Sequence, residues 1–478
     1  MLGKIIVLSM YALMIIIIGI IGLRKTKSSK DFLLGGGNVG PWMSAFSYGT
    51  AYFSAVLFIG FAGKIGWGFG YSALWIALFN ALLGVMTVWL VMGWKIKQVS
   101  VQLNISTMSE FLETRYKSSS LKLIAAIVIF IFLIPYSAAV FMGLSYLFEI
   151  SLGISYIWIL AAMGIFTAVY IVLGGYKSMS MIDMIFGLIM TLSVLLLLYF
   201  TVEKGDGIPN ITSTLKSIEP KLISSVGPPG WWPLLALVFL TSVAPFAMPQ
   251  LVQKFYAIRD KRSVKIGAFA STFFAILIGG VAYFMGSTTR VFLSPTTAPT
   301  AFTEGKPNFD QLMPELLTSV IPSSLSVIIL LLILSASMST LASLVLISSS
   351  SFTKDFWGGF INKNMSDKST TMMMRYMSAV FVLLAVLFAA IELDVIVEIL
   401  GISWGAMGAF FLGPFVWGLF SKRVNRLGAF VSGLGGLAIC LILYFTGMSS
   451  PEAGTIGMIA SLILNPLFSL FCKKQQQS

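Results

Sequence analysis

The chain has no histidine among its 478 residues. This removes imidazole bases, histidine metal ligands and the usual switch near neutral pH. Only two cysteines occur, Cys440 inside an apolar stretch and Cys472 at the C-terminal edge, so neither a disulfide framework nor a thiolate metal site is expected. Charge is also scarce. Asp, Glu, Lys and Arg make up 10% of the chain, against about 25% in ordinary soluble domains. The P-loop pattern is absent, which argues against nucleotide-driven work by this chain. Two other motifs match in form only. GGGNVG (35–40) fits G-x-G-x-x-G but lacks a preceding strand and a βαβ unit, so it reads as a turn. GISWG (401–405) fits the nucleophile-elbow pattern, which needs a histidine, so it reads as chance or as small residues packing helices.

Apolar residues dominate instead, at 57% of the chain, and the mean hydropathy is +0.93. Runs such as IIVLSMYALMIIIIGIIGL (5–23) pass the roughly 18 residues needed to cross a bilayer. The fold class is therefore an all-α polytopic membrane protein. The first run is too long for a signal peptide core and leads into RKTK rather than a cleavage site, so it is expected to be a retained helix.

The pattern predicts about thirteen transmembrane helices, near 5–23, 41–63, 71–94, 121–148, 156–176, 179–202, 231–253, 266–288, 323–353, 374–392, 397–420, 427–446 and 454–471. With the N-terminus outside and the C-terminus inside, the inner segments and their edges collect 24 of the 31 Lys and Arg, whereas 11 of the 18 acidic residues fall outside. This positive-inside bias sets the orientation. It also accounts for the net charge of +13 without any nucleic-acid partner. Asp183 is the acid left within a span; it is either functional, as intramembrane carboxylates are by default, or hydrated near the inner interface.

Helix-breaking chemistry occurs at mid-depth in two spans. SAFSYGTAYFSAVLF (44–58) has Gly49 and Thr50 near its centre, and LTSVAPFAMPQ (240–250) has Pro245 and Pro249. Either could be a simple kink. The two are five spans apart, however, so they cross in opposite directions. Spans 41–202 and 231–420 then read as two inverted five-helix repeats of a single transporter domain. Such folds place substrates where the helices break; this is the LeuT-type 5+5 architecture.

SASMSTLASLVLISSSSF (335–352) continues an apolar run, and Ala336, Ser339, Thr340 and Ser343 share one helical face. Small hydroxylated residues either pack helices closely or supply oxygen ligands to a hard cation. In the second case, carbonyls freed by the break in the 41–63 span would complete the shell.

GPWMSAFSYGTAYFSAVLFIG (40–60), YKSMSMIDMIFGLIM (176–190), LSASMSTLASLVLISSSSFTKDF (334–356) and GLFSKRVNRLGAFVSG (418–433) resemble the sodium:solute symporter family of proline, pantothenate, monocarboxylate and sugar symporters. The resemblance runs from about 5 to 446. It implies the inverted five-helix repeat and a Na⁺ site made of the Thr50, Phe53 and Ala336 carbonyls with the Ser339 and Thr340 hydroxyls. It also implies a second Na⁺ or release site at Asp183 and Ser343, although Ala342 stands where that site expects a serine. Tyr52 replaces an aspartate of the proline symporters, and Leu74 and Ala77 replace polar contacts of the sugar symporters. Candidate solute contacts are Tyr52, Ser54, Leu57, Trp75, Tyr136, Phe246 and Gln250.

The expected function is sodium-coupled import of a small organic solute, an amino acid such as proline or a small carboxylate, across a bacterial cytoplasmic (plasma) membrane. Pantothenate or a sugar is an alternative substrate. A passive uniporter or channel, or a sensor, is an alternative function on the same fold. The chain ends at CKKQQQS without a signalling domain, which disfavours the sensor. No enzymatic activity, organic cofactor, nucleic acid or obligatory protein partner is expected. The partners are Na⁺, the solute and the lipid bilayer.

Overall fold

The computed structural model describes residues 2–26 and 28–471; Cys472 lies outside them. Nearly all of the described chain is helical. Its sheet is a two-residue pair, Phe302–Thr303 against Lys306–Pro307, in a surface loop. Among the described residues, eleven helices are long and apolar enough to cross a membrane. One such run, Val56–Gln102, covers 47 residues and is bent at Gly70, where φ is +59°. The helix Ser450–Ser469 follows these eleven.

Both expected breaks occur, each with a local cause. Pro41 opens the helix Pro41–Tyr52, as suits a residue that lacks a backbone donor. The helix ends where Phe53 turns extended, at φ −107° and ψ 107°. The chain resumes as helix from Val56 with wide, π-type turns as far as Phe61. The break thus falls three residues beyond the expected Gly49–Thr50. Gly49 stays helical and serves packing instead: a Cβ there would lie 2.7 Å from Phe274 on the helix Lys261–Phe292. The second break follows the prolines closely. Trp231–Val243 passes through a tight turn at Ala244–Phe246, and Pro249 then starts the second half-helix Pro249–Ala257. Every residue of that half-helix is buried, including Gln250, Gln253 and Lys254.

The hydroxyl helix Ser326–Ser350 is buried continuously from Ile329 except at Leu331. It packs on Pro41–Tyr52, Tyr176–Lys204 and Ser119–Leu152. The last three long helices, Ile396–Phe420, Arg426–Phe445 and Ser450–Ser469, pack mainly on one another through small residues. GISWG belongs to this packing. A Cβ on Gly401 would meet Ser450 Oγ at 2.1 Å, and one on Gly405 would meet Gly454 Cα at 2.7 Å. GGGNVG is a turn, with φ of +58°, +79° and +71° at Gly35, Gly36 and Gly37.

This turn delivers Val39 to the end of the second broken helix. Val39 N–H donates to Ala257 O at 3.0 Å, and Arg259 N–H donates to Val39 O at 3.1 Å. Lys97 Nζ donates to Gly37 O at 3.1 Å and to Tyr256 O at 2.9 Å. Gln253 Nε2 donates to Leu33 O at 2.9 Å. The two broken helices are therefore tied together on the face that carries the basic loops. A basic vestibule of about 530 Å³ adjoins this tie, with Lys30, Lys97 and Lys354 in its wall.

Candidate functional site

The first break places the last carbonyls of Pro41–Tyr52 beyond the reach of continuing helical N–H groups. Helix C-termini leave such acceptors unpaired. Phe53 N–H closes the final turn onto Gly49 O at 3.1 Å. The hydroxyl helix meets the freed segment. Thr340 Oγ1 lies 3.3 Å from Thr50 O, 3.3 Å from Ala51 O and 3.2 Å from Ala336 O. One hydroxyl proton cannot serve three carbonyls, and all three contacts are longer than the usual 2.7–2.8 Å for O–H···O. Ser339 Oγ lies 2.8 Å from Thr50 Oγ1 and 2.7 Å from Asp183 Oδ1. The proton of Thr50 Oγ1 goes to Phe46 O at 2.7 Å. Acceptors outnumber protons in this buried cluster, so a small cation would satisfy oxygens that the protein alone leaves competing. Its oxygens come from hydroxyls and carbonyls; no described group of three or more His, Cys, Asp or Glu could hold a metal.

Of the residues expected here, the structure brings together Thr50, Ala336, Ser339 and Thr340, and it adds Ala51. Phe53 is the extended residue itself and lines the neighbouring cavity. Asp183 is fully enclosed rather than hydrated at an interface. Its Oδ2 accepts from Ser47 Oγ at 2.6 Å and lies 3.8 Å from Lys254 Nζ. Ser343 Oγ is directed to Ser339 O at 3.1 Å and to Met179 Sδ at 3.9 Å.

A small cavity adjoins the same break. It is lined by Tyr52, Phe53, Ser54, Leu57 and Tyr136, and also by Val56, Phe61, Asn80, Thr241, Tyr283, Leu400 and Trp404. Its volume, about 30 Å³, suits a water or two, so a larger solute requires the lining to move. Tyr52 and Tyr136 each meet Trp404 edge to face with centroids 5.9 Å apart. Tyr52 OH donates to Thr241 O at 2.5 Å, and Ser242 Oγ donates to Asn80 Oδ1 at 2.8 Å. Trp404 Nε1 points beside the Tyr136 hydroxyl without closing a hydrogen bond.

Three expected contacts fall outside this lining. Trp75 is 41% exposed and donates to Ser225 O at 3.0 Å. Its short helix turns Ile76 and Ala77 inward, which leaves Trp75 on the opposite face. Phe246 packs against the core from the turn of the second broken helix. Gln250 is buried on the half-helix Pro249–Ala257. Sequence reasoning missed Ser47, Asn80, Tyr283, Trp404 and Lys254. For Lys254 a signal existed: Gln250, Gln253 and Lys254 repeat at three and four residues, a polar stripe on a single face.

Two broken membrane helices, with an oxygen-rich cluster and a small aromatic recess on the same unwound segment, define a membrane transporter rather than an enzyme. The family model for the sodium:solute symporter family matches residues 32–436, and the chain belongs to that family. It is 29% identical to the sodium/proline symporter of Haemophilus influenzae over 91% of this chain and 86% of that protein. It is 27% identical to the high-affinity proline transporter PutP of Bacillus subtilis over 95% and 94%. It is 24% identical to the sodium/pantothenate symporter of Haemophilus influenzae over 95% and 94%. A solved Na⁺-coupled sialic acid symporter, in a substrate-bound outward-open state, shares the fold with a TM-score of 0.84. The two are 19% identical, with 99% of each chain covered.

Proposed function

We propose that this chain couples inward sodium movement to uptake of a small zwitterionic solute, a neutral amino acid with proline as the first candidate. The observation that carries the sodium assignment is the excess of oxygen acceptors over protons where Thr340 and Ser339 face Thr50 and Ala51. The Ala336 carbonyl and the unwound segment at Phe53 belong to the same site. The solute assignment rests on the lining of the recess, which has aromatic rings, a few neutral polar groups and no charged side chain. The solute carboxylate would lie at the start of the outer half-helix near Ser54 and Val56, where the positive dipole end favours an anion and where a carboxylate would compete with Ser54, which now accepts from the Val56 amide at 3.2 Å. The sodium/proline relatives point the same way. Sugars, with many hydroxyls to satisfy, suit so apolar a lining less well.

In this reading the chain crosses a bacterial cytoplasmic membrane thirteen times, with the basic face inside and the N-terminus outside. Residues 41–202 and 231–420 form two inverted repeats. Sodium and solute share the segment Thr50–Ser54, so sodium would pre-order the solute site. A ligand shifts such an equilibrium only through unequal affinity for the two states.

The first test is thermal unfolding of purified protein in NaCl and KCl at equal ionic strength, with amino acids, carboxylates, vitamins and sugars added in turn. Ligands that bind only the folded state raise Tm. A sodium-specific rise that proline extends supports the assignment; equal Tm in both salts with every solute favours a uniporter. Thr340→Ala should raise the half-saturating sodium and solute concentrations together by roughly tenfold, about 1.4 kcal/mol. Unchanged sodium dependence in that variant would remove Thr340 from the site.

A further inference from the structure

Asp183 and Lys254 have no exposed side-chain surface. Nothing in the sodium cluster or the solute recess accounts for a buried lysine. An enclosed charge persists only when paired and hydrogen-bonded, and within a membrane span it is a functional candidate by default. Lys254 Nζ donates to Ser47 Oγ at 2.9 Å, stands 3.8 Å from Asp183 Oδ2 and lies over the Tyr176 ring at 5.1 Å from its centroid. Ser47 passes its own proton to Asp183 Oδ2, and Ser339 gives its proton to Oδ1. A continuous chain therefore runs from Lys254 on the second broken helix through Ser47 on the first to Asp183, and on to Ser339 beside Thr50.

We propose that the Lys254 ammonium is a tethered cation that holds Asp183 as its counter-ion, so that Asp183 takes no second sodium and one sodium moves with each solute. The proposal rests on the sodium reading given above. Both carboxylate oxygens are engaged. Ser343 directs its hydroxyl to Ser339 O and Met179 Sδ, and Ala342 brings no oxygen. A sodium ion on Asp183 would sit within a few ångströms of an ammonium in a poorly screened interior, where like charges repel strongly. Asp183 still serves the first site as a positioning residue. By taking the Ser339 proton it leaves the lone pairs of that hydroxyl free to face a cation. After sodium departs, the carboxylate is not left bare, because Lys254 already neutralises it.

Equilibrium binding of radioactive sodium to the purified full chain tests this, together with the sodium dependence of uptake in proteoliposomes. The wild type should bind one sodium per chain, and its uptake should follow sodium with a Hill coefficient near one. Lys254→Met should expose Asp183 to a second sodium, raising the bound sodium to two and the Hill coefficient towards two. Lys254→Met with Asp183→Asn should return both to one, since the neutral pair keeps a hydrogen-bond acceptor for Ser339. Two sodium ions on the wild type, or one on folded Lys254→Met, would overturn the proposal. If Lys254→Met does not fold, the double variant decides: retained binding of one sodium supports the proposal, and lost binding, which would put sodium on the Asp183 charge itself, overturns it. A wild type that binds no sodium would instead refute the sodium-coupled function on which the proposal stands.

Discussion

Trp404 offers a buried donor, Nε1, that the folded chain leaves without a hydrogen bond. Unpaired buried donors are costly, and the cost is recovered when a ligand supplies the acceptor. Trp404→Phe keeps most of the aromatic wall and removes the donor. It should raise the half-saturating solute concentration by roughly tenfold, about 1.4 kcal/mol, while leaving the sodium-induced Tm shift without solute unchanged. Uptake kinetics and unfolding scans read the two effects separately. Asp310, in the outer-loop helix Phe309–Val320, gives a second residue-level expectation. Burial raises its carboxyl from the ordinary 3.8 to about 7, against the opposing Ile396 N–H bond and Lys64, and with help from Asp394 and Glu392. Between those two values the folded state holds a proton that the unfolded chain has released, so stability falls as pH rises through that window. Asp310→Asn should flatten the decline in Tm between about pH 4 and pH 7 relative to the wild type. The hydroxyl face was legible in the sequence because Ser339, Thr340 and Ser343 obey the helical period. Lys254 shows only in its stripe with Gln250 and Gln253, because a lysine at the end of an apolar run otherwise looks like an interfacial charge until its helix is seen to be buried on every side.

At the scale of the element, glycine positions divide between turns and close contacts. Gly405 and Gly454 press two helices together backbone to backbone. Neither can retreat as the end of a flexible side chain would. Gly405→Val should destabilise the last three helices by roughly 1–3 kcal/mol through overpacking. It should lower Tm while leaving residual uptake with an unchanged sodium requirement. The same distinction explains why one break was placed correctly and the other was not. Pro249 must begin a helix or interrupt one, so its position carries the information. Gly49 permits a break without requiring it, and here its missing side chain makes room for Phe274. The break moved to Phe53 and Ser54, whose types give no local warning.

At the scale of the whole molecule, the basic face is closed by a few hydrogen bonds to main-chain carbonyls. Val39, Gly37 and Leu33 on one side meet Ala257, Tyr256, Arg259 and Gln253 on the other, with Lys97 bridging two of the carbonyls. Opening towards that face must break this tie. Lys97→Ala should therefore raise the alkylation rate of a cysteine placed at Ile258 several-fold, with Cys440 and Cys472 replaced by serine; an unchanged rate would mean that Lys97 does not hold the face shut. The positive-inside pattern foretold a basic face. The clasp lay beyond sequence reasoning because every acceptor in it is a main-chain carbonyl, and main-chain partners leave no mark in residue type.

Thr50 and Ala51 give carbonyls to the cation cluster, and Tyr52, Phe53 and Ser54 wall the recess. On the proposed assignment five consecutive residues serve two ligands, and if sodium strengthens the solute site, linkage requires the solute to strengthen sodium binding by the same factor. This bears on pharmacology. A blocker shaped for the recess would inherit the sodium requirement of the solute it displaces. A compound screen run in potassium buffer would pass over it, whereas the same screen in sodium would rank it by an affinity that belongs partly to the ion.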